Sequence, residues 1–248
     1  MADLMDFDEL KLYFGDDIEI NKYIKLRSPS VGDVAEYGER EYYSTLHLLT
    51  AIPSDMKSQL FDVGIDYEEI SDFELFYLLT RNLTPEKTSI FLYDLDLSKM
   101  ELVENPESKQ AIMRASDSDV VIDELAYTKI AGCLRKIHGI VPKIEHAKNK
   151  TTKKILIELD RQRLAKLKDV PYKSSLKYLI SAMMRYPGFK YKTKELKQCS
   201  MYEFMDEVQG AQVYTSSIAL LQGSYSGMVD TSKIDKKQFN WMRDLTEK

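Results

Sequence analysis

A glycine-flanked segment near the C-terminus has the outline of a catalytic nucleophile loop. Residues 223–227 read Gly-Ser-Tyr-Ser-Gly. The G-x-S-x-G motif of a nucleophile elbow places serine at its centre, between a strand and a helix. Here Tyr225 takes the central position, and helical sequence precedes the segment. The pattern therefore predicts a helix end followed by a tight turn, where glycine tolerates positive φ, and it predicts no catalytic residue.

Two pairs of aspartates are spaced closely enough to hold a divalent cation. Asp94 and Asp96 form one pair, and Asp117 and Asp119 form the other. Paired carboxylates can bind Mg²⁺ or Ca²⁺, but the glycine and final glutamate of an EF-hand loop are missing after Asp117. The three histidines lie outside any H-E-x-x-H motif or cysteine pair. No phosphate-binding glycine motif occurs either. We therefore predict acidic turns, no metal, no cofactor and no enzymatic activity.

Basic side chains concentrate in residues 143–194, which makes nucleic-acid binding the main alternative function. Residues 143–168 carry a net charge of +6, and aromatic residues alternate with lysines in residues 186–194. Lysines bind phosphates, and aromatic rings stack on bases. The whole chain has a pI near 5.4, however, which is atypical of a nucleic-acid-binding domain. We keep nucleic acid as the alternative and expect proteins as the main partners.

Charge is distributed unevenly along the 248 residues. The net charge is −5, yet residues 1–124 carry −17 and residues 125–248 carry +12. The two halves could neutralise each other within one fold, or oppositely charged surfaces could meet between copies. Whole-chain charge bears on association and does not choose between these arrangements. Self-association is therefore one expectation.

Cysteine usage and the first residues indicate a reducing compartment. Cys133 and Cys199 are too few for a disulfide framework. Acidic residues follow Met1, where a secretory signal would carry a basic segment. We therefore expect a cytosolic protein.

Hydrophobic periodicity predicts a mainly α protein of the α+β class, with a small N-terminal β element and a bundle-like helical C-terminal region. The predicted division is an acidic α+β region, 1–140, and a basic helical region, 141–248. We expect a β-hairpin in residues 10–26 that turns at Gly15-Asp16-Asp17, two short strands in 88–103, and a further strand in 110–124. We predict one helix after Pro29, a second that ends at Gly64 and a third that begins at Ser71. Four more helices are predicted at 124–138, 143–168, 174–186 and 201–222, and Gly223 is expected to end the last of them.

Residues 208–229 contain no charged side chain. This uncharged run is long enough to span a membrane as a helix. The run contains three glutamines, a threonine and four serines, which are costly in hydrocarbon, so we predict no membrane segment. A helix packed against protein explains the lack of charge better. Its partner is either the core of the same chain or another subunit. The predicted partner-binding residues are Gly210, Ala211, Ser217, Tyr225 and Trp241.

The order of C-terminal elements resembles that of a family of phage proteins. Residues 174–242 contain an amphipathic helix, a basic-aromatic turn, the segment CSMYEFMDEV, a polar uncharged helix and the segment GSYSGMVDTSKIDKKQFNWM. This arrangement resembles small proteins encoded in the tail-gene clusters of tailed bacteriophages, particularly tail assembly chaperone-like or tail-associated proteins. The acidic N-terminal half is larger than a minimal chaperone requires, which leaves a structural tail or baseplate role open.

The resemblance implies a non-enzymatic protein that makes protein–protein contacts. Tail assembly chaperones coat the tape-measure protein and recruit tail-tube subunits. The implied partners are therefore tape-measure and tail-tube proteins. The implied location is the host cytoplasm or the virion tail. Oppositely charged halves would suit head-to-tail association between copies.

Overall fold

A computed structural model describes residues 8–106, 108–228 and 230–245. It is 56% helical, with 11 helices among these residues and a small antiparallel sheet. The predicted fold class, mainly α with a small β component, is confirmed.

The N-terminal segment begins with a helix where the sequence suggested a strand. Helix α1 spans Glu9–Tyr13, and the Asp8 carboxylate caps its first turn by accepting hydrogen bonds from two backbone N–H groups. Leu12 is fully buried, and Gly15 follows at φ +75°. A hairpin is present, but its strands are β1 (Ile18–Glu19) and β2 (Lys25–Leu26). The predicted turn at residues 15–17 is therefore wrong, because the Asp8 cap favours a helix before it.

Five helices follow and build most of the N-terminal core. Ser71 and Glu74 form the predicted reciprocal capping box, and Gly64 lies at φ +78° after a short helix, as expected. One strand predicted within residues 88–103 is wrong: Pro85 occupies the first position of a helix instead. Three consecutive buried apolar residues of this helix, 90–92, give the same sequence pattern as a buried strand. The helices are α2 Val31–Tyr37, α3 Glu39–Thr50, α4 Lys57–Asp62, α5 Asp72–Thr80 and α6 Pro85–Leu92.

A three-stranded antiparallel sheet lies between α6 and the next helix. It consists of β3 (Met100–Glu104), β4 (Ala111–Ala115) and β5 (Val121–Ile122), in that spatial order. Met100 pairs with Ala115 and Met113 with Ile122. The strand predicted in residues 110–124 is confirmed.

The remaining helices are α7 Glu124–Ile137, α8 Lys150–Lys168, α9 Ser175–Arg185, α10 Thr193–Leu196 and α11 Met201–Tyr225. The helix predicted from residue 143 begins seven residues later, where the Asn149 side chain caps α8. The predicted end of α11 at Gly223 is also wrong. The helix continues to Tyr225, and Gly227 at φ +68° follows its end. At 1.5 Å per residue, α11 is about 37 Å long.

One hydrophobic core contains side chains from both sides of residue 140. Its buried members include Tyr42, Phe91, Ile130 and Phe204. An isolated bridge between Ser30 and Ser200 connects the two regions. Helix α8 packs instead on α4, over a second, smaller cluster formed by Leu60, Tyr67, Leu75 and Ile157.

Candidate protein-binding surface

Helix α11 has two halves with different surroundings. Met201, Phe204 and Val208 in its first half are buried in the main core. From Gln209 to Tyr225, Ser217 is the one side chain of the helix that is fully buried. We call residues 209–228 the arm; beyond Ala211, which still packs against the core, the arm extends past it.

The C-terminal segment 230–245, which we call the strap, returns along the arm. The Ser217 hydroxyl donates to the backbone carbonyl of Gln238 at 2.7 Å. Eight residues earlier in the helix, the Gln209 amide donates to the carbonyl of Leu245 at 3.0 Å. The contacts occur in reverse chain order, so the strap runs antiparallel to the helix.

Arg243 fixes the conformation of the strap. Its guanidinium donates to the carbonyl of Lys237 at 3.2 Å and to that of Gln238 at 3.1 Å. A ring contact adds to these bonds: Trp241 meets Tyr214 edge-to-face, with centroids 5.6 Å apart and ring planes at 83°. Such aromatic pairs contribute about 0.5–1.5 kcal/mol beyond burial. The strap is thus held by a few specific contacts.

The structure separates the residues that we predicted to bind a partner. Gly210 and Ser217 are seven residues apart and share one helix face. Ala211 packs against the main core. Trp241 lies on the strap and contacts the arm, whereas Tyr225 is 86% exposed at the end of the helix.

Gly210 has no neighbour that needs its small size. A Cβ atom built there would meet nothing within 4 Å. Glycine inside a helix costs about 1 kcal/mol relative to alanine. Contacts among the described residues do not offset this cost, and space remains beside Gly210, on a helix face that the strap covers farther along at Ser217.

The arm and strap expose several large apolar side chains. Met228 is exposed to 86%, as is Tyr225, and Trp241 and Met242 on the strap are also exposed. Exposed large apolar side chains of this kind are common at protein-binding sites. An uncharged sequence that leaves the core and exposes these side chains is well suited to contact another protein.

Comparison of the chain with protein-family models, with curated proteins and with solved structures gives no match. Among the helices of the described residues, none is both long and apolar enough to cross a membrane.

A second exposed apolar surface, which sequence reasoning missed, lies on α8. Ile157 is buried against α4, whereas Ile155, Leu159 and Leu167 are each more than half exposed. The available signal was the number of apolar residues in this helix, since they occupy more than one face. Helix α8 therefore also offers apolar surface to a partner.

Several basic side chains of α8 are already neutralised within the chain. Lys153 pairs with Asp66 and with Glu68, the latter at 2.7 Å, and holds the pKa of both carboxyl groups below their usual values. Arg161 pairs with Asp62. These contacts join the acidic and basic halves of one molecule, so part of the charge asymmetry is resolved internally. They also reduce the positive surface available to phosphates.

The other groups with potential chemistry have structural partners. Gly223 lies inside a helix, so the strand–turn–helix geometry of a nucleophile elbow is absent there. Asp96 caps a short turn by accepting from the Ser98 N–H, and Asp117 pairs with Lys99 at 2.8 Å. In the part of the chain that the structure describes, no cluster of three or more histidine, cysteine or acidic side chains could hold a metal ion.

The two cysteines are buried thiols rather than exposed nucleophiles. Burial raises the pKa of Cys133 to about 12. Burial, followed by a hydrogen bond to Glu203, raises the pKa of Cys199 far above its usual value. Both thiols therefore stay protonated at neutral pH, and a reactive cysteine needs the opposite shift.

Proposed function

We propose that this chain is a non-enzymatic tail assembly or tail structural protein of a tailed bacteriophage. It contacts tape-measure or tail-tube proteins in the host cytoplasm, or remains with them in the virion tail. The observation that carries the proposal is the arm: an uncharged half-helix that leaves the core and exposes large apolar side chains.

Helix length and composition support a partner for the arm. A solvated helix face normally carries charged side chains, and the arm has none. Gly210 leaves room for close backbone approach, and Tyr225 and Met228 supply large apolar contacts beyond it. Aromatic residues and methionine are enriched in protein interfaces, so these side chains fit that use.

The strap suits contacts that must form and be released. It is attached by a few hydrogen bonds and one aromatic contact, each of modest energy. A partner that covers the arm could displace or extend it at small cost. Assembly proteins need reversible contacts of this kind.

Co-expression with the tail-tube and tape-measure proteins of the genome that encodes the chain tests the proposal. Affinity purification followed by size-exclusion chromatography should give a stable complex with at least one of them. The matched control is the same experiment with a capsid protein of that genome, which should not co-purify. A folded protein that retains neither tail protein contradicts the proposal.

A baseplate role is a variant of the same proposal, and the same experiment addresses it. Retention in purified virions, detected by mass spectrometry, separates a structural component from a chaperone that leaves. Nucleic-acid binding is the competing function. It requires salt-dependent binding tighter than the nonspecific range of about 10⁻⁴ M at physiological salt, which we do not expect.

A further inference from the structure

A pocket lies between the end of α4 and the first turns of α8, away from the arm. Its volume is about 310 Å³. The apolar part of its lining comes from Phe61, Ile65, Tyr67 and Ile157. Its charged lining consists of Lys150, Lys153 and Lys154 and of Asp66, which is paired with Lys153.

Two of these lysines carry charge that the chain does not neutralise. Lys153 is paired with acidic side chains of the loop after α4. Lys150 and Lys154 are exposed and make no ion pair or hydrogen bond with any described residue. Both lie in the first turns of α8, where the helix dipole is positive and cations are unfavourable. The first turn contains no acidic residue that would offset them.

Tyr67 lies in the wall of the pocket, beside Lys153. It lines the pocket and is only 4% exposed, yet its hydroxyl oxygen has no hydrogen-bond partner among the described residues. The Lys153 ammonium lies 5.2 Å from the centroid of its ring. The hydroxyl oxygen is itself buried, so Tyr67 contributes ring surface to the pocket and not a hydrogen-bond donor.

We propose that this pocket binds an acidic-apolar segment of a partner protein. A large apolar side chain of the segment contacts Phe61 and Ile157, and a neighbouring carboxylate lies between Lys150 and Lys154. The site is separate from the arm and does not depend on the proposed phage function.

The shape and chemistry of the pocket favour this occupant. A volume near 300 Å³ is at the lower end of ligand pockets, which suits one large side chain with its neighbours. The lysines complement carboxylates and phosphates alike, but the apolar lining favours an occupant that also carries a large apolar side chain. Charge complementarity at a rim around an apolar contact is typical of protein recognition.

Isothermal titration calorimetry on the full chain tests the proposal with a capped peptide of sequence Gly-Asp-Phe-Asp-Leu-Gly. The control peptide replaces both aspartates by asparagine. The test variant is Lys150→Gln with Lys154→Gln, at positions that have no ion pair or hydrogen bond with the described residues. The matched control is Lys166→Gln with Lys168→Gln, two exposed and unpaired lysines in the last turn of the same helix.

We expect the acidic peptide to bind with a Kd below about 1 mM. The test variant should weaken binding about tenfold, as expected from the loss of two exposed ion pairs, and the control variant should leave it unchanged. Equal binding of the asparagine peptide, an equal loss in both variants, or no binding at this concentration contradicts the proposal. Binding of a thymidine oligonucleotide that requires Lys150 and Lys154, with no binding of the peptide, would assign the pocket to nucleic acid instead.

Discussion

The Ser217 hydroxyl donates to the Gln238 carbonyl at 2.7 Å, in the middle of the arm. Ser217 is fully buried, although most of its neighbours on the arm are exposed. The strap therefore covers the helix at the middle of the arm, in addition to its contacts at Gln209 and Tyr214. Tryptophan fluorescence can follow this contact, because Trp241 on the strap is the single tryptophan of the chain.

Ser217→Ala should loosen the strap without unfolding the protein. Removing the hydroxyl deletes a hydrogen bond worth about 1 kcal/mol at the edge of the molecule, where local opening is independent of the core. We expect Trp241 emission to shift to the red and urea unfolding to change little. Ser216→Ala, at the exposed neighbouring position, is the control and should leave the emission unchanged.

Gly210→Ala should stabilise the free protein and weaken its complex. The helix interior favours alanine over glycine by about 1 kcal/mol, and the added Cβ has open space. If a partner approaches this face closely, the same methyl group clashes with it. Urea unfolding and affinity for the captured tail protein should therefore move in opposite directions. Stabilisation with unchanged affinity would show that the partner does not contact Gly210.

Protonation of His138 should reduce stability as the pH falls. The Leu134 carbonyl can only accept a hydrogen bond, so Nδ1 carries the hydrogen, and Nε2 accepts from the Tyr42 hydroxyl at 2.6 Å. This arrangement requires a neutral ring, and burial lowers the pKa of His138 to about 4. An unfolded histidine titrates near 6.5, so the unfolded state binds more protons between these two values.

Stability should therefore decrease from about pH 6.5 to about pH 4, by up to about 1.4 kcal/mol per pH unit from this group. Urea unfolding of the wild type and of His138→Gln at several pH values measures the difference. Glutamine does not titrate, so its curve should be flatter than that of the wild type over this window. Parallel curves would show that His138 is not responsible.

Lys150→Glu should raise the melting temperature. It replaces a cation by an anion at the first position of α8, which is worth about 0.3–1 kcal/mol at a helix N-terminus. Lys166→Glu in the last turn should have the opposite effect, because that end of the helix favours cations. Differential scanning calorimetry of both variants measures the two signs, and equal signs would contradict the dipole argument.

Local sequence signals predicted many elements of the fold but not their contacts. The Ser71–Glu74 capping box and the turn at Gly64 depend on neighbouring residues alone, and both are present. Gly223 led to a wrong prediction of the helix end, because in the sequence a glycine inside a long helix looks the same as a glycine that follows its last turn. The actual end at Tyr225 is followed by Gly227.

The candidate sites depend on contacts between distant segments, which a single sequence does not reveal. Gly32 permits its N–H to reach the Lys197 carbonyl at 2.9 Å, and a Cβ there would lie 2.6 Å from that oxygen. The residues next to Gly32 in the sequence do not predict this contact with Lys197. The contacts of Ser217 with Gln238 and of Lys153 with the loop after α4 also join segments that are distant in the sequence.

Affinity of the arm for a tail protein tests the central claim most directly. The variant is Tyr225→Ser with Met228→Ser, which removes two highly exposed apolar side chains from the arm. The control is Val141→Ser with Ile144→Ser, two side chains that are each 68% exposed outside the arm. Biolayer interferometry against the purified tail-tube and tape-measure proteins should show binding by the wild type and the control. We expect at least about tenfold weaker binding by the arm variant, since burying each large side chain contributes about 1.5–3 kcal/mol. Unchanged binding by the arm variant, or no binding by the folded wild type, would contradict it.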